Sequence, residues 1–221
     1  KIKVLCNGSS NGIDLSFFDP LKIKANEKNQ LMSSLGIKIK DFIFLYVGRL
    51  VRDKGINELV YAFKELLFKN KNFKLLLVGN FEEDLDPLKM DVIDEINSNP
   101  NIFFVGYQKD IRPYLAISNC FVFPSYREGF PNVILQAGAM NLPCIVSNIN
   151  GCNEIIKNRV NGILISKKDV EELKKAMLKI SKDEDLRNKL SKNSRQIILK
   201  NFDQKSIWES LRNEYKILSN V

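Results

Sequence analysis

From residue 41 onward the sequence alternates short apolar runs with helix-length amphipathic stretches, and this alternation leaves few folds open. Strands are expected at Phe42–Val47, Phe73–Val78, Ile102–Val105, Cys120–Phe123, Cys144–Val146 and Gly162–Ile165. Helical patterns lie between them at about 56–69, 87–98, 110–117, 131–140 and 153–157. Runs that are apolar throughout suit strands buried on both faces, and strands each followed by a crossover helix form a parallel sheet with helices on both sides. The expected fold class is α/β, a doubly wound parallel sheet. In such a sheet the ligand crevice lies beyond the carboxyl ends of the strands, which directs the search for chemistry to the loops that follow each one.

The alternation covers residues 41–200, with flanks of a different character. Residues 1–40 open on a short strand and then the turn-rich Asn7-Gly8-Ser9-Ser10-Asn11-Gly12, which reads as a linker and first elements. From about 168 to 220 three helical patterns follow one another without a strand. Asp169 precedes the first, and Asp203 is placed to cap the last, over 201–221. That last helix carries Ile207, Trp208, Leu211, Tyr215 and Leu218 on one face. The stripe is expected to be core, with its end docking on a domain outside this chain.

Composition removes several functions. The 221 residues include no histidine, which excludes a histidine base, a Ser-His dyad or a His-ligated metal from this chain. Cys6, Cys120, Cys144 and Cys152 form no C-x-x-C pair, so neither a zinc site nor a disulfide framework is indicated, and a reducing cytoplasm fits. Cys120 and Cys144 lie in apolar strand contexts and are expected to be core residues. No apolar run approaches the roughly 20 residues of a membrane span, and Lys1 to Cys6 leads straight into a turn instead of the apolar stretch of a secretory leader. The net charge of +8 invites a nucleic-acid or anionic-membrane partner. However, the lysines are spread over helix faces without aromatic interleaving, so a solvated surface is expected and nucleic acid is not.

Three loops carry the candidate chemistry. Gly48-Arg49-Leu50-Val51-Arg52-Asp53-Lys54-Gly55 joins a strand to a helix. Its glycines permit close backbone approach, and Arg49 and Lys54 put two cations at a helix start, where an anion such as a diphosphate is favoured. It is not a P-loop, because G-x-x-x-x-G-K-[ST] is absent. Pro124-Ser125-Tyr126-Arg127-Glu128-Gly129-Phe130-Pro131-Asn132-Val133 repeats the strand-to-helix placement. Backbone amides between 130 and 133 suit a phosphate, and Glu128 offers a carboxylate for two sugar hydroxyls. Ser147 to Glu154 is the third. Each also has an ordinary reading: surface cations on a turn for the first, a Glu capping its own helix for the second, and a polar turn with Asn153 as cap for the third.

In order and spacing these loops resemble the C-terminal domain of retaining glycosyltransferase family four, whose members have the GT-B fold of two facing Rossmann-like domains. The resemblance spans nearly the whole chain and includes Asn7-Gly8, Asn11-Gly12-Ile13-Asp14, Val78-Gly79, Gly106, Pro124-Ser125, Ala137 to Pro143 and Gly151 to Glu154. It implies that Arg49 and Lys54 hold the pyrophosphate of a nucleotide-sugar donor, and that Glu128, the first acidic residue of the family's paired-glutamate motif, binds the donor sugar. Gly48, Gly129, Phe130, Pro131, Asn132 and Val133 would line the donor, with phosphate amides from 130 to 133 apart from Pro131. Val105 and Gly106 would lie near the base. Where the family has a second Glu gripping the ribose, this sequence has Gln136.

The resemblance further implies transfer with retention from a UDP-sugar to a glycan or lipid-linked acceptor in bacterial surface polysaccharide or lipopolysaccharide assembly. No metal or other cofactor would be required, since Arg49, Lys54 and helix amides would meet the leaving charge. The acceptor would be bound by an N-terminal domain absent from this chain, which alone would transfer little or nothing. The expected location is cytoplasmic, with peripheral docking at a membrane carrying the acceptor. Alternatives with the same architecture are a sugar phosphorylase, an epimerase or a non-catalytic nucleotide-sugar-binding module.

Overall fold

The structure, a computed structural model, describes residues 8, 9, 11–82 and 86–219. The strand expected within Lys1 to Cys6 lies outside the described residues.

Six strands form one parallel sheet: β1 Phe42–Val47, β2 Phe73–Val78, β3 Ile102–Phe104, β4 Cys120–Phe123, β5 Cys144–Ser147 and β6 Gly162–Ile165, in the order β3-β2-β1-β4-β5-β6. All six fall where the apolar runs predict them. The register pairs Phe42 with Phe73 and Val47 with Val78, so the first two strands end together. β3 stops one residue short of Val105, although the Val105 amide still donates to the Leu77 carbonyl at 3.1 Å. As an edge strand it is paired on one side only.

The order reverses between β1 and β4. Both neighbours of that seam send their crossovers away from it, which opens a crevice at the carboxyl ends of β1 and β4.

Helices α1 Ala25–Ser34, α2 Ile56–Leu67, α3 Met90–Ser98, α4 Arg112–Ile117, α5 Asn132–Ala139, α6 Cys152–Ile155, α7 Val170–Lys182, α8 Glu184–Asn201 and α9 Gln204–Ser219 complete the described chain. α1 falls within residues 1–40, the segment read as a linker and first elements. α2 shows how the sheet is covered: Ile56, Leu59, Val60, Phe63 and Leu67 recur at helical spacing and are buried. Each such side chain contributes roughly 1.5–3 kcal/mol by leaving water. Asp169 caps α7 through the Glu172 amide at 2.8 Å, and Asp203 accepts the Ser206 amide at 3.2 Å at the start of α9. Cys120 and Cys144 are fully buried, and burial pushes both thiols up.

Residues 12–19 are packed against the domain: Ile13 exchanges backbone hydrogen bonds with Phe202 and Gln204 at 2.8 and 3.1 Å, and Arg112 and Arg195 donate to the carbonyls of Phe17 and Phe18 at 3.3 and 3.1 Å. One expectation is corrected: the α9 stripe is not core. Ile207 is buried, but Trp208 and Tyr215 are 53% and 72% exposed and Leu218 is exposed with them. The helix leaves the body of the domain after its first turn, so helical spacing correctly marks one face but not what covers it.

Candidate functional site

At the carboxyl ends of β1 and β4 the β1–α2 and β4–α5 loops are joined backbone to backbone. The Tyr126 amide donates to the Asp53 carbonyl at 2.8 Å, and the buried Ser125 hydroxyl reaches the carbonyls of Asp53 and Arg127 at 3.3 and 3.2 Å. Gly55, at φ 72°, passes so close to Pro124 that an added Cβ would lie 2.2 Å from its carbonyl oxygen. Gly151 does the same for the third loop, where a Cβ would meet the Gly129 carbonyl at 2.1 Å. These glycines let the three loops close on one another, a role distinct from the ligand approach expected of the loop glycines.

A cavity of about 610 Å³ opens at this seam. Among its lining residues are Gly48, Arg49, Lys54, Glu128, Pro131, Val133 and Gln136, drawn from two separate segments. The Lys54 ammonium lies 2.7 Å from Glu128 Oε1, with both side chains 14% exposed. Arg49 donates to Glu82 at 2.7 Å, a bond that raises its guanidinium pKa further. Glu128 therefore faces Lys54 instead of capping its own helix. Neither α2 nor α5 has a side-chain cap, leaving first-turn amides of both helices without that partner. The Gln136 side chain makes no hydrogen bond to a described residue.

The remaining candidates lie beside the cavity. Val105 and Gly106 use their carbonyls internally, accepting from Gln108 Nε2 at 2.8 Å and the Gly79 amide at 2.9 Å. The neighbouring stretch from Tyr107 to Ile111 lines that end instead. Phe130 packs on Phe202 with ring centroids 5.8 Å apart, Asn132 is exposed, and Gly129 has open space where a Cβ would stand. In the third loop Asn153 is not the cap; its amide group donates to Asn148 at 3.0 Å, while the Gly151 amide donates to Glu154 at 3.1 Å. Cys152, buried beneath this loop, has its thiol pushed up to about 12 by burial and then by Glu128, which leaves it protonated.

Sequence reasoning passed over Glu82, Phe17 and Phe18, and Tyr46, all on the cavity wall. The last had a signal, as the sole side chain with a polar atom in the run Phe42–Val47. Among the described residues no three His, Cys, Asp or Glu side chains are grouped to hold a metal ion, and no helix is long and apolar enough to cross a membrane.

Residues 27–197 match the family described as glycosyl transferases group 1. The capsular polysaccharide biosynthesis glycosyltransferase CapM of Staphylococcus aureus is 35% identical over 97% of this chain and 55% of its own length. The UDP-Gal:alpha-D-GlcNAc-diphosphoundecaprenol alpha-1,3-galactosyltransferase of Escherichia coli is 35% identical over 87% of this chain and 49% of its own. This chain thus spans about half the length of these relatives. In fold it is similar to a glycosyltransferase from Rickettsia africae ESF-5, with a TM-score of 0.84 at 23% identity over 96% of this chain and 57% of that one.

Proposed function

The chain belongs to the glycosyl transferases group 1 family, and from that premise we propose that it is the donor-binding half of a metal-independent glycosyltransferase that holds a UDP-sugar. The observation that carries this reading is the convergence of Arg49, Lys54, Glu128 and Gln136 on one cavity that also takes in the start of α5, a helix without a side-chain cap. Cations and helix amides at one rim suit a diphosphate, and a carboxylate beside them suits sugar hydroxyls.

In this reading the bond from the sugar's anomeric carbon to the diphosphate oxygen breaks, the electron pair leaves with the diphosphate, and a hydroxyl oxygen of the acceptor bonds the anomeric carbon as its proton passes to the departing diphosphate. Arg49, Lys54 and the amides at the start of α5 stabilise the charge that develops. The diphosphate draws Lys54 from Glu128, whose carboxylate then accepts hydroxyls of the donor sugar. Gln136 accepts one ribose hydroxyl through its amide oxygen. Retention of configuration follows the family resemblance. The acceptor, a glycan or a lipid-linked diphosphate of surface polysaccharide assembly, would be held mainly by a further domain; the Escherichia coli relative, which takes its galactose from UDP and acts on an undecaprenol-linked sugar, supports both donor and acceptor class. The net charge of +8 fits work at an anionic membrane surface.

Calorimetric titration with nucleoside diphosphates and their sugars tests the proposal. UDP and a UDP-sugar are expected to bind without added divalent ion. Absence of binding by every nucleoside diphosphate would overturn it.

A further inference from the structure

Tyr46 is fully buried in β1, its ring stacked on Phe123 with centroids 5.9 Å apart and planes 13° apart, yet it also reaches the cavity wall. Its phenol donates a hydrogen bond to the Arg49 carbonyl at 2.8 Å. The next amide along, that of Leu50, donates to the Asn80 carbonyl at 2.8 Å. The peptide between Arg49 and Leu50 is therefore held at both its oxygen and its nitrogen.

On the other side of Arg49 the Gly48 amide donates to Val78 at 2.9 Å, and the Gly48 carbonyl lies against Gly79, where a Cβ would be 1.8 Å away. A peptide's N–H points opposite to its C=O. With the Gly48 carbonyl turned towards Gly79, the Arg49 N–H is turned away from it, and no described residue accepts that N–H. Two fixed peptides thus bracket one free donor and one guanidinium.

Gly48 is matched to the same hydroxyl, because a Cβ there would stand 2.7 Å from the phenol oxygen. Burial first, and then the charges of Glu128 and Asp53, push the phenol's pKa well up, so the group remains an O–H donor.

We infer that Tyr46 is a positioning residue for the donor's diphosphate: its hydrogen bond to the Arg49 carbonyl fixes the backbone at Arg49, and with it the amide that meets the phosphates and the point from which the guanidinium reaches them. The inference rests on the donor-binding reading above. It assigns a role in ligand geometry to a side chain that would otherwise be only core.

Tyr46→Phe keeps the ring and its stack while removing the O–H. The expected result is a five- to tenfold loss of affinity for UDP by calorimetry, with uridine, which lacks phosphate, bound as before in ligand-observed NMR competition. A merely structural role would lower both together or neither, and either result overturns the inference. Gly48→Ala, whose methyl must displace the phenol oxygen, serves as the second variant if Tyr46→Phe does not fold; retained UDP affinity there overturns it as well. Failure of the unsubstituted protein to bind any nucleoside diphosphate would instead bring down the donor-binding reading and this inference with it.

Discussion

Lys54 and Arg49, two of the cations that line the cavity, are held in opposite ways. Lys54 and Glu128 form a pair in which each side chain is 14% exposed, on loops locked together by backbone hydrogen bonds and the close pass of Gly55 over Pro124. Arg49 and Glu82 form a pair of the same length, 2.7 Å, but with side chains 52% and 32% exposed. Exposed ion pairs contribute about 0–1 kcal/mol, whereas breaking a largely buried one strands a charge in a poor solvent. The comparison teaches that one cation is built into the frame of the site while the other is free to change partner at small cost. A diphosphate entering the cavity would recruit Arg49 easily and would have to compete with Glu128 for Lys54.

Substitutions can break this contrast, beginning with the frame. Gly55→Ala would put a Cβ into the Pro124 carbonyl at a positive φ, and an expected loss of about 3 kcal/mol should appear in urea unfolding. Gly129→Ala, in the facing loop where nothing lies within 4 Å, should leave stability unchanged. Equal effects would show that the loops are not locked as described.

Lys54→Met removes one member of the enclosed pair. It is expected to cost about 2 kcal/mol of UDP affinity, read by calorimetry, with a measurable loss of stability because Glu128 is left without its partner. Gln136→Glu restores a charge-assisted bond to the ribose and should tighten UDP by about 1 kcal/mol; unchanged or weaker affinity would argue against a ribose contact at Gln136. The smallest effect belongs to Glu82→Gln, which should alter stability by less than about 0.5 kcal/mol in the same unfolding experiment. A larger loss would show that the exposed pair is as much part of the frame as the enclosed one.

How far the sequence can be read varies with the kind of contact. The strands were legible because a parallel strand buried on both faces must be apolar throughout, and no other short element demands that. That Arg49, Lys54 and Glu128 would share one rim was legible because the loops that follow such strands meet at the same edge of the sheet. Glu82 was not, since it marks neither a strand end nor a helix start, and its meaning comes entirely from reaching across to Arg49. Tyr46 was hidden for the opposite reason: it lies inside a strand, where its ring accounts for it fully until the hydroxyl's partner is seen. The α9 stripe shows the limit of periodicity, which orders Trp208, Leu211 and Tyr215 on a face without supplying anything to cover them.

The chain's own pattern determined the elements, their parallel order of burial and the loops at which chemistry can occur, because local propensity and hydrophobic spacing act over a few residues. Only the tertiary structure decided that residues 54 and 128, 49 and 82, and 46 and 49 would each meet, and which glycines serve packing instead of ligand. Those outcomes depend on how closely loops far apart in sequence approach one another, and the final ångström of that approach is set by the packing of the whole sheet.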